Sequence, residues 1–232
     1  MGARRRGRLH VDGRRADWLR DGALDGRPLL ILAHGAGAGC ERAPLEDAAQ
    51  QLVARGLAVA RFQFPYMQAA RDSGRRRPPD RAAVLLATWS AMLAAARRWR
   101  GVERLVLGGR SMGGRMASLL LADGGAPAAT GAVYLGYPLS PAGKPHVERA
   151  EHLPSVPVPQ LFVSGDRDAL ADLSRLRRVL GAIRRARGAG AARLHVVPGG
   201  DHGLAVRGPG AAGRHAAWLD AVAAFVHEVA AC

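Results

Sequence analysis

The stretch GGRSMGGR, Gly108 to Arg115, decides how this chain is read. It follows the apolar run Leu105-Val106-Leu107 and precedes Met116-Ala117-Ser118-Leu119-Leu120-Leu121, which is apolar and rich in helix formers. Within it, Gly109-Arg110-Ser111-Met112-Gly113 matches G-x-S-x-G. A serine on a sharp strand-to-helix turn has its hydroxyl pushed clear of the sheet. Glycines two residues to either side let the strand and helix backbones approach closely. A phosphate-cradling turn is the competing interpretation, but neither G-x-G-x-x-G nor a Walker lysine is present. Ser111 therefore reads as a nucleophile. The amide of Met112, just after it, can donate to an oxyanion.

Outward from this turn, short β-rich runs alternate with helical periodicity. Strands are expected at 29–33, 57–62, 104–107, 132–135, 160–164 and 193–197. Helices are expected at 44–55, 81–99, 112–122, 173–187 and 211–230, with Gly56 and Pro78-Pro79-Asp80 as stop and start signals. Such alternation predicts βαβ units in a doubly wound, mostly parallel sheet with helices on both faces. The whole chain, 1–232, reads as one α/β domain, with one or two antiparallel edge strands within residues 1–28. Residues 137–159, rich in proline and charge, form the longest irregular segment. The gap between the sixth and seventh strands is too short for a large cap domain.

In a doubly wound sheet the site lies beyond the carboxyl ends of the strands. After 29–33 comes His34-Gly35-Ala36-Gly37-Ala38-Gly39, a backbone able to turn an N–H toward an oxyanion. His34 precedes the nucleophile and reads as a loop-shaping residue, not a base. After 160–164 come Asp166 and Asp168, and after 193–197 comes Gly200-Asp201-His202-Gly203. The chain order Ser, Asp, His is one of the three known orders of a nucleophile–acid–base set. His202 would take the Ser111 proton, and one of the two aspartates would hold the imidazole. Tyr66 could line the pocket or equally pack the loop. Arg110 and Arg115 flank the nucleophile at a helix N-terminus, where a cation is disfavoured. Arg115 is expected to pair with a protein carboxylate among Asp72, Asp80, Glu148 and Glu151, and Arg110 to steer a substrate anion.

Composition sets further bounds. The formal net charge is +15, yet Lys144 is the only lysine, and the arginines are scattered apart from Arg4–Arg6 and Arg75–Arg77. No RNA-binding aromatic signature or paired-cysteine zinc pattern accompanies them, so no specific nucleic-acid partner is expected. No apolar run approaches the roughly 18 residues that cross a bilayer, and no membrane partner is expected. The basic start lacks a following apolar run, so it does not read as a secretory signal. Cys40 and Cys232 make no disulfide framework, and a cytoplasmic location is expected. Cys40 reads as a bystander thiol. His146 and His152 have no metal-ligand company, so neither metal nor other cofactor is expected.

The segments LAHGAGAG, ARFQFPYM, GGRSMGGRMAS, YLGYPLSPAGKP, EHLPSVPVPQLFVSGDRD and GGDHG together resemble successive signatures of a group of small α/β-hydrolases. That group is related to dienelactone hydrolases and includes testis-expressed hydrolase-like proteins and a subunit of a nonspecific-lethal acetyltransferase complex. The resemblance spans about residues 28–205. It implies an α/β-hydrolase fold, a triad of Ser111, Asp168 and His202, and oxyanion donors at Ala36 and Met112. It further implies a carboxylesterase-like serine hydrolase acting on an ester, thioester or related acyl bond of a small soluble molecule. Dienelactone hydrolases carry cysteine where this chain has Ser111, so their substrate does not carry over. A hydrolase-fold scaffold without catalysis is the alternative.

Overall fold

The computed structural model describes residues 4–144 and 148–231, so His146 and Cys232 lie outside the described residues. Its elements are strands β1 (Arg5–Val11), β2 (Arg14–Asp21) and β3 (Leu29–Ala33), helix α1 (Leu45–Ala54), β4 (Ala58–Phe62), α2 (Pro65–Ser73) and α3 (Ala82–Ala96). Then follow β5 (Leu105–Arg110), α4 (Met112–Ala122), β6 (Ala129–Leu135), β7 (Gln160–Gly165), α5 (Leu173–Arg187), β8 (Ala192–Val197) and α6 (Ala211–Ala231).

The strands form one sheet in the order β1-β2-β4-β3-β5-β6-β7-β8. β1 pairs antiparallel with β2, and β2 antiparallel with β4. Every other pairing, from β4 across to β8, is parallel. The expected parallel sheet and the antiparallel N-terminal edge strands are both present.

β3 is apolar at every position because it is buried on both faces. Leu29 and Ile31 belong to one core with Trp89 of α3, Met116 of α4 and Leu176 of α5. Leu30 and Leu32 point the opposite way, into a second core with Leu52 of α1 and Leu219 of α6. Each fully buried leucine contributes roughly 1.5–3 kcal/mol. Helices therefore cover both faces and fix β3 and β5 at the centre, with the loops after them at one edge.

Two elements differ from expectation. The segment after β4 continues as α2, with Pro65 in its first turn, where proline's missing N–H costs nothing. β6 begins at Ala129, three residues earlier than its branched residues suggest. Its Ala-Thr-Gly start pairs with β5 through Ala129 and Gly131, and a Cβ at Gly131 would lie 2.8 Å from Val229 of α6. Between β6 and β7 the described residues hold only a short 3₁₀ turn, Leu153–Ser155, and no cap.

Candidate active site

Ser111 joins β5 to α4 with φ 51° and ψ −118°, a conformation that side chains other than glycine rarely adopt. The strain persists because the surroundings over-determine it. Ser111 N–H donates to Leu135 O at 3.0 Å, and Ser111 O accepts from Arg115 N–H at 3.0 Å. A Cβ at Gly109 would lie 2.6 Å from Ala33 O, and one at Gly113 would lie 2.6 Å from His34 O. The two motif glycines are thus required by the approach of β5 and α4 to the end of β3.

The Ser111 hydroxyl meets His202 Nε2 at 2.8 Å. His202 Nδ1 lies 2.9 Å from each oxygen of Asp168. Asp168 Oδ1 also accepts from Leu170 N–H at 2.8 Å, which fixes the carboxylate, and its side chain is buried. In this arrangement Nδ1–H donates to the carboxylate and leaves the Nε2 lone pair facing Ser111. Asp166 is exposed and serves another purpose: its Oδ1 accepts Gly199 N–H at 2.7 Å and shapes the turn after β8. The loop carrying His202 also needs Gly136, whose φ is 64° and whose Cβ would lie 2.5 Å from His202 O. The signal for Gly136 in the sequence is its place immediately after β6.

The glycine-rich loop after β3 borders Ser111: a Cβ at Gly35 would lie 3.6 Å from Ser111 Cβ. Three groups hold the loop. His34, 1% exposed, donates from Nδ1 to Gly35 O at 2.7 Å and accepts Phe64 N–H on Nε2 at 3.0 Å. Burial pushes its pKa down to about 4, opposed only in part by the Gly35 carbonyl, so it is neutral. Gln63 Oε1 accepts Cys40 N–H at 3.1 Å at the far end of the loop. The Tyr66 hydroxyl donates to Ala36 O at 3.0 Å and lies 3.4 Å from Gly35 O. Ala36 itself is exposed, and Met112 opens α4 with its N–H at the positive end of the helix.

Tyr66 is 3% exposed and takes the second of its two expected places, packed against the loop. Other singled-out residues have different surroundings from those expected. Arg115 makes no ion pair among the described residues, and its Nε is buried without a hydrogen-bond partner. Three of the four proposed carboxylates are engaged elsewhere: Glu148 with Arg175, Asp80 with Arg14, and Asp72 with Gln68. Tyr137, Arg149 and His152 lie within the electrostatic reach of Arg115. Arg110 lines a cavity toward α1 and α6 that Ser111 does not line. His152 accompanies the Ser118 hydroxyl at 2.8 Å, and Cys40 is buried with its thiol pushed up to about 12 by burial, which makes it unreactive.

Comparison with known proteins places this geometry in context. No curated protein matches by sequence. The chain superposes on Est1E from Butyrivibrio proteoclasticus with a TM-score of 0.73 at 15% identity, covering 98% of this chain and 99% of that one. It superposes on the Pyrococcus furiosus esterase Pf2001 with a TM-score of 0.76 at 12% identity, covering 97% and 91%. For a dienelactone hydrolase from Anabaena variabilis the TM-score is 0.70 at 17% identity, with coverage of 97% and 95%. At such identities the likeness speaks for the fold. A family described as alpha/beta hydrolase domain matches residues 26–230. With the strained serine turn, the parallel sheet and this match together, the chain belongs to the alpha/beta hydrolase domain family.

Proposed function

We propose that the protein is a carboxylesterase-like serine hydrolase that cleaves an ester, thioester or related acyl bond of a small soluble molecule. The observation that carries this reading is the continuous chain of hydrogen bonds Ser111 Oγ–His202 Nε2 and His202 Nδ1–Asp168. Ser111 Oγ attacks the carbonyl carbon while its proton passes to His202 Nε2. Asp168 keeps the imidazole in the tautomer that can accept this proton and steadies the resulting cation. The negative charge that develops on the carbonyl oxygen is met by the N–H groups of Ala36 and Met112. His202 then returns the proton to the leaving oxygen or sulfur, giving an acyl-enzyme. A water deprotonated by His202 releases the acid and restores Ser111.

The absence of a cap among the described residues between β6 and β7 favours short substrates over long lipids. Esterases among the structural neighbours support the reaction class, and the dienelactone hydrolase neighbour supports the kinship suggested by the sequence segments. That kinship extends, in this reading, to the testis-expressed hydrolase-like proteins and the nonspecific-lethal complex subunit. No helix among the described residues is long and apolar enough to cross a membrane, and a cytoplasmic enzyme without a nucleic-acid partner is the setting we assign. Hydrolysis of p-nitrophenyl acetate tests the reading. Ser111→Ala and His202→Ala should each lower kcat/KM by several orders of magnitude, since such residues act as a unit. A folded native protein that does not turn the ester over points to the non-catalytic scaffold instead.

A further inference from the structure

Behind the serine turn, on the face covered by α1 and α6, lies a cavity of about 380 Å³. Leu45, Leu135, Leu204, Val206 and Trp218 supply apolar walls, and among the described residues Arg110 is the only lining residue with a permanent charge and no carboxylate lines it. At roughly 30 Å³ per water-sized group, the space holds about a dozen non-hydrogen atoms.

Arg110 is half-buried there, makes no ion pair among the described residues, and has an Nε without a hydrogen-bond partner. Asp201 is the acid that acts on it, but its Oδ1 is committed to the N–H groups of Gly203 at 2.7 Å and Ala205 at 3.0 Å. Burial lowers the guanidinium pKa, and Asp201 only partly opposes this. A partly desolvated cation without an ion pair is stabilised by an anionic partner, and a planar carboxylate is a group whose geometry matches a guanidinium fork. A single positive charge suits a monoanion, and the walls suit an apolar tail.

We propose that this cavity binds an apolar monocarboxylic acid, its carboxylate paired with Arg110 and its tail packed between α1, the loop after His202 and the start of α6. The site is separate from Ser111, since neither Ser111 nor His202 lines it. It is also adjacent, because Arg110 and Gly203 are their chain neighbours. Leu204, two residues after His202, lines the cavity and is held at φ 60°, so an occupant would touch a strained part of the loop that carries His202.

The proposal does not depend on the hydrolase reading, because binding is measured without turnover. Calorimetric titration of the full chain with octanoate and with octanamide, at low salt and neutral pH, separates charge from tail. Octanoate should bind at one site at least tenfold more tightly than octanamide. Arg110→Gln should bring the two ligands level. Ala212→Trp, at the exposed rim of the cavity, should weaken both tenfold or more and carries the test if Arg110→Gln does not fold. Ser111→Ala should leave both unchanged. Equal binding of the two ligands to native protein, or no binding, overturns the proposal. So does octanoate binding that survives Ala212→Trp but is lost in Ser111→Ala.

Discussion

Asp166 and Asp168 stand two positions apart, and their surroundings assign them different work. Asp168 is buried against His202, whereas Asp166 caps a turn in solvent. Asp168→Asn should lower kcat by about 10⁴, because the amide holds the imidazole in the wrong tautomer. Asp166→Asn should change kcat by less than tenfold. Rates of p-nitrophenyl acetate hydrolysis by the two variants check this, and the reverse ranking would move the acid to Asp166. Ser111, the aspartate pair and His202 were legible in the sequence because each follows a strand and two of them lie among glycines. The directions of Tyr66, Arg110 and Arg115 were not. Side-chain direction at a positive-φ turn and after an unrecognised helix start depends on backbone geometry that residue type does not encode. Arg115 shows the consequence: charge matching alone suggested Asp80 and Glu148, which the fold keeps with Arg14 and Arg175.

At the scale of the element, the loop after β3 responds to pH through His34. His34 is neutral in the folded chain and accepts Phe64 N–H on Nε2. Its folded pKa, about 4, lies below the unfolded value near 6.5. The unfolded chain therefore binds the extra proton first. The stabilisation is full above about pH 6.5 and is lost as pH falls toward 4, amounting to about 3 kcal/mol. Burial lowers His152 to about 4 as well, aided by Arg115, so it works in the same direction. Urea midpoints between pH 7.5 and 4.5 should fall for the native protein and fall less steeply for a folded His34→Gln. Parallel curves would refute the role of His34. The αβ alternation was legible because apolar runs and helical periodicity survive without tertiary information. α2 was not, since it is short, polar and opens on Pro65, a residue that starts helices and breaks them alike.

Across the whole molecule, the fully buried Arg61 ties distant parts together. Burial and a net positive charge would both oppose it without partners. Its Nη2 lies 2.6 Å from Asp21 at the end of β2, and its Nη1 donates to Cys40 O at 2.5 Å. Burial raises the Asp21 pKa, but hydrogen bonds from Arg4 and Arg61 outweigh it and hold the carboxyl below its ordinary range. Arg61→Met leaves Asp21 paired with Arg4 alone and the buried Cys40 carbonyl without its donor, and should destabilise the fold by about 1–3 kcal/mol. Arg193→Met, which removes an exposed pair with Glu228, should cost less than about 1 kcal/mol. Urea unfolding of both variants checks the contrast, and equal losses would contradict it. The sequence shows Arg61 only as a charge inside an apolar strand; its partners come from the hairpin and the loop folding back. The remaining surplus of +15 is read as a dispersed surface charge. Duplex DNA should accordingly bind weakly, without sequence preference, and lose affinity steeply with salt. A nanomolar, sequence-selective complex at physiological salt would contradict that. The central claim, a nucleophilic Ser111 activated by His202, is tested most directly by intact-mass and peptide analysis after treatment with a fluorophosphonate. The account predicts one adduct per chain, located on Ser111, and none on folded Ser111→Ala. A native protein that stays unmodified, or an adduct that persists in Ser111→Ala, would contradict it.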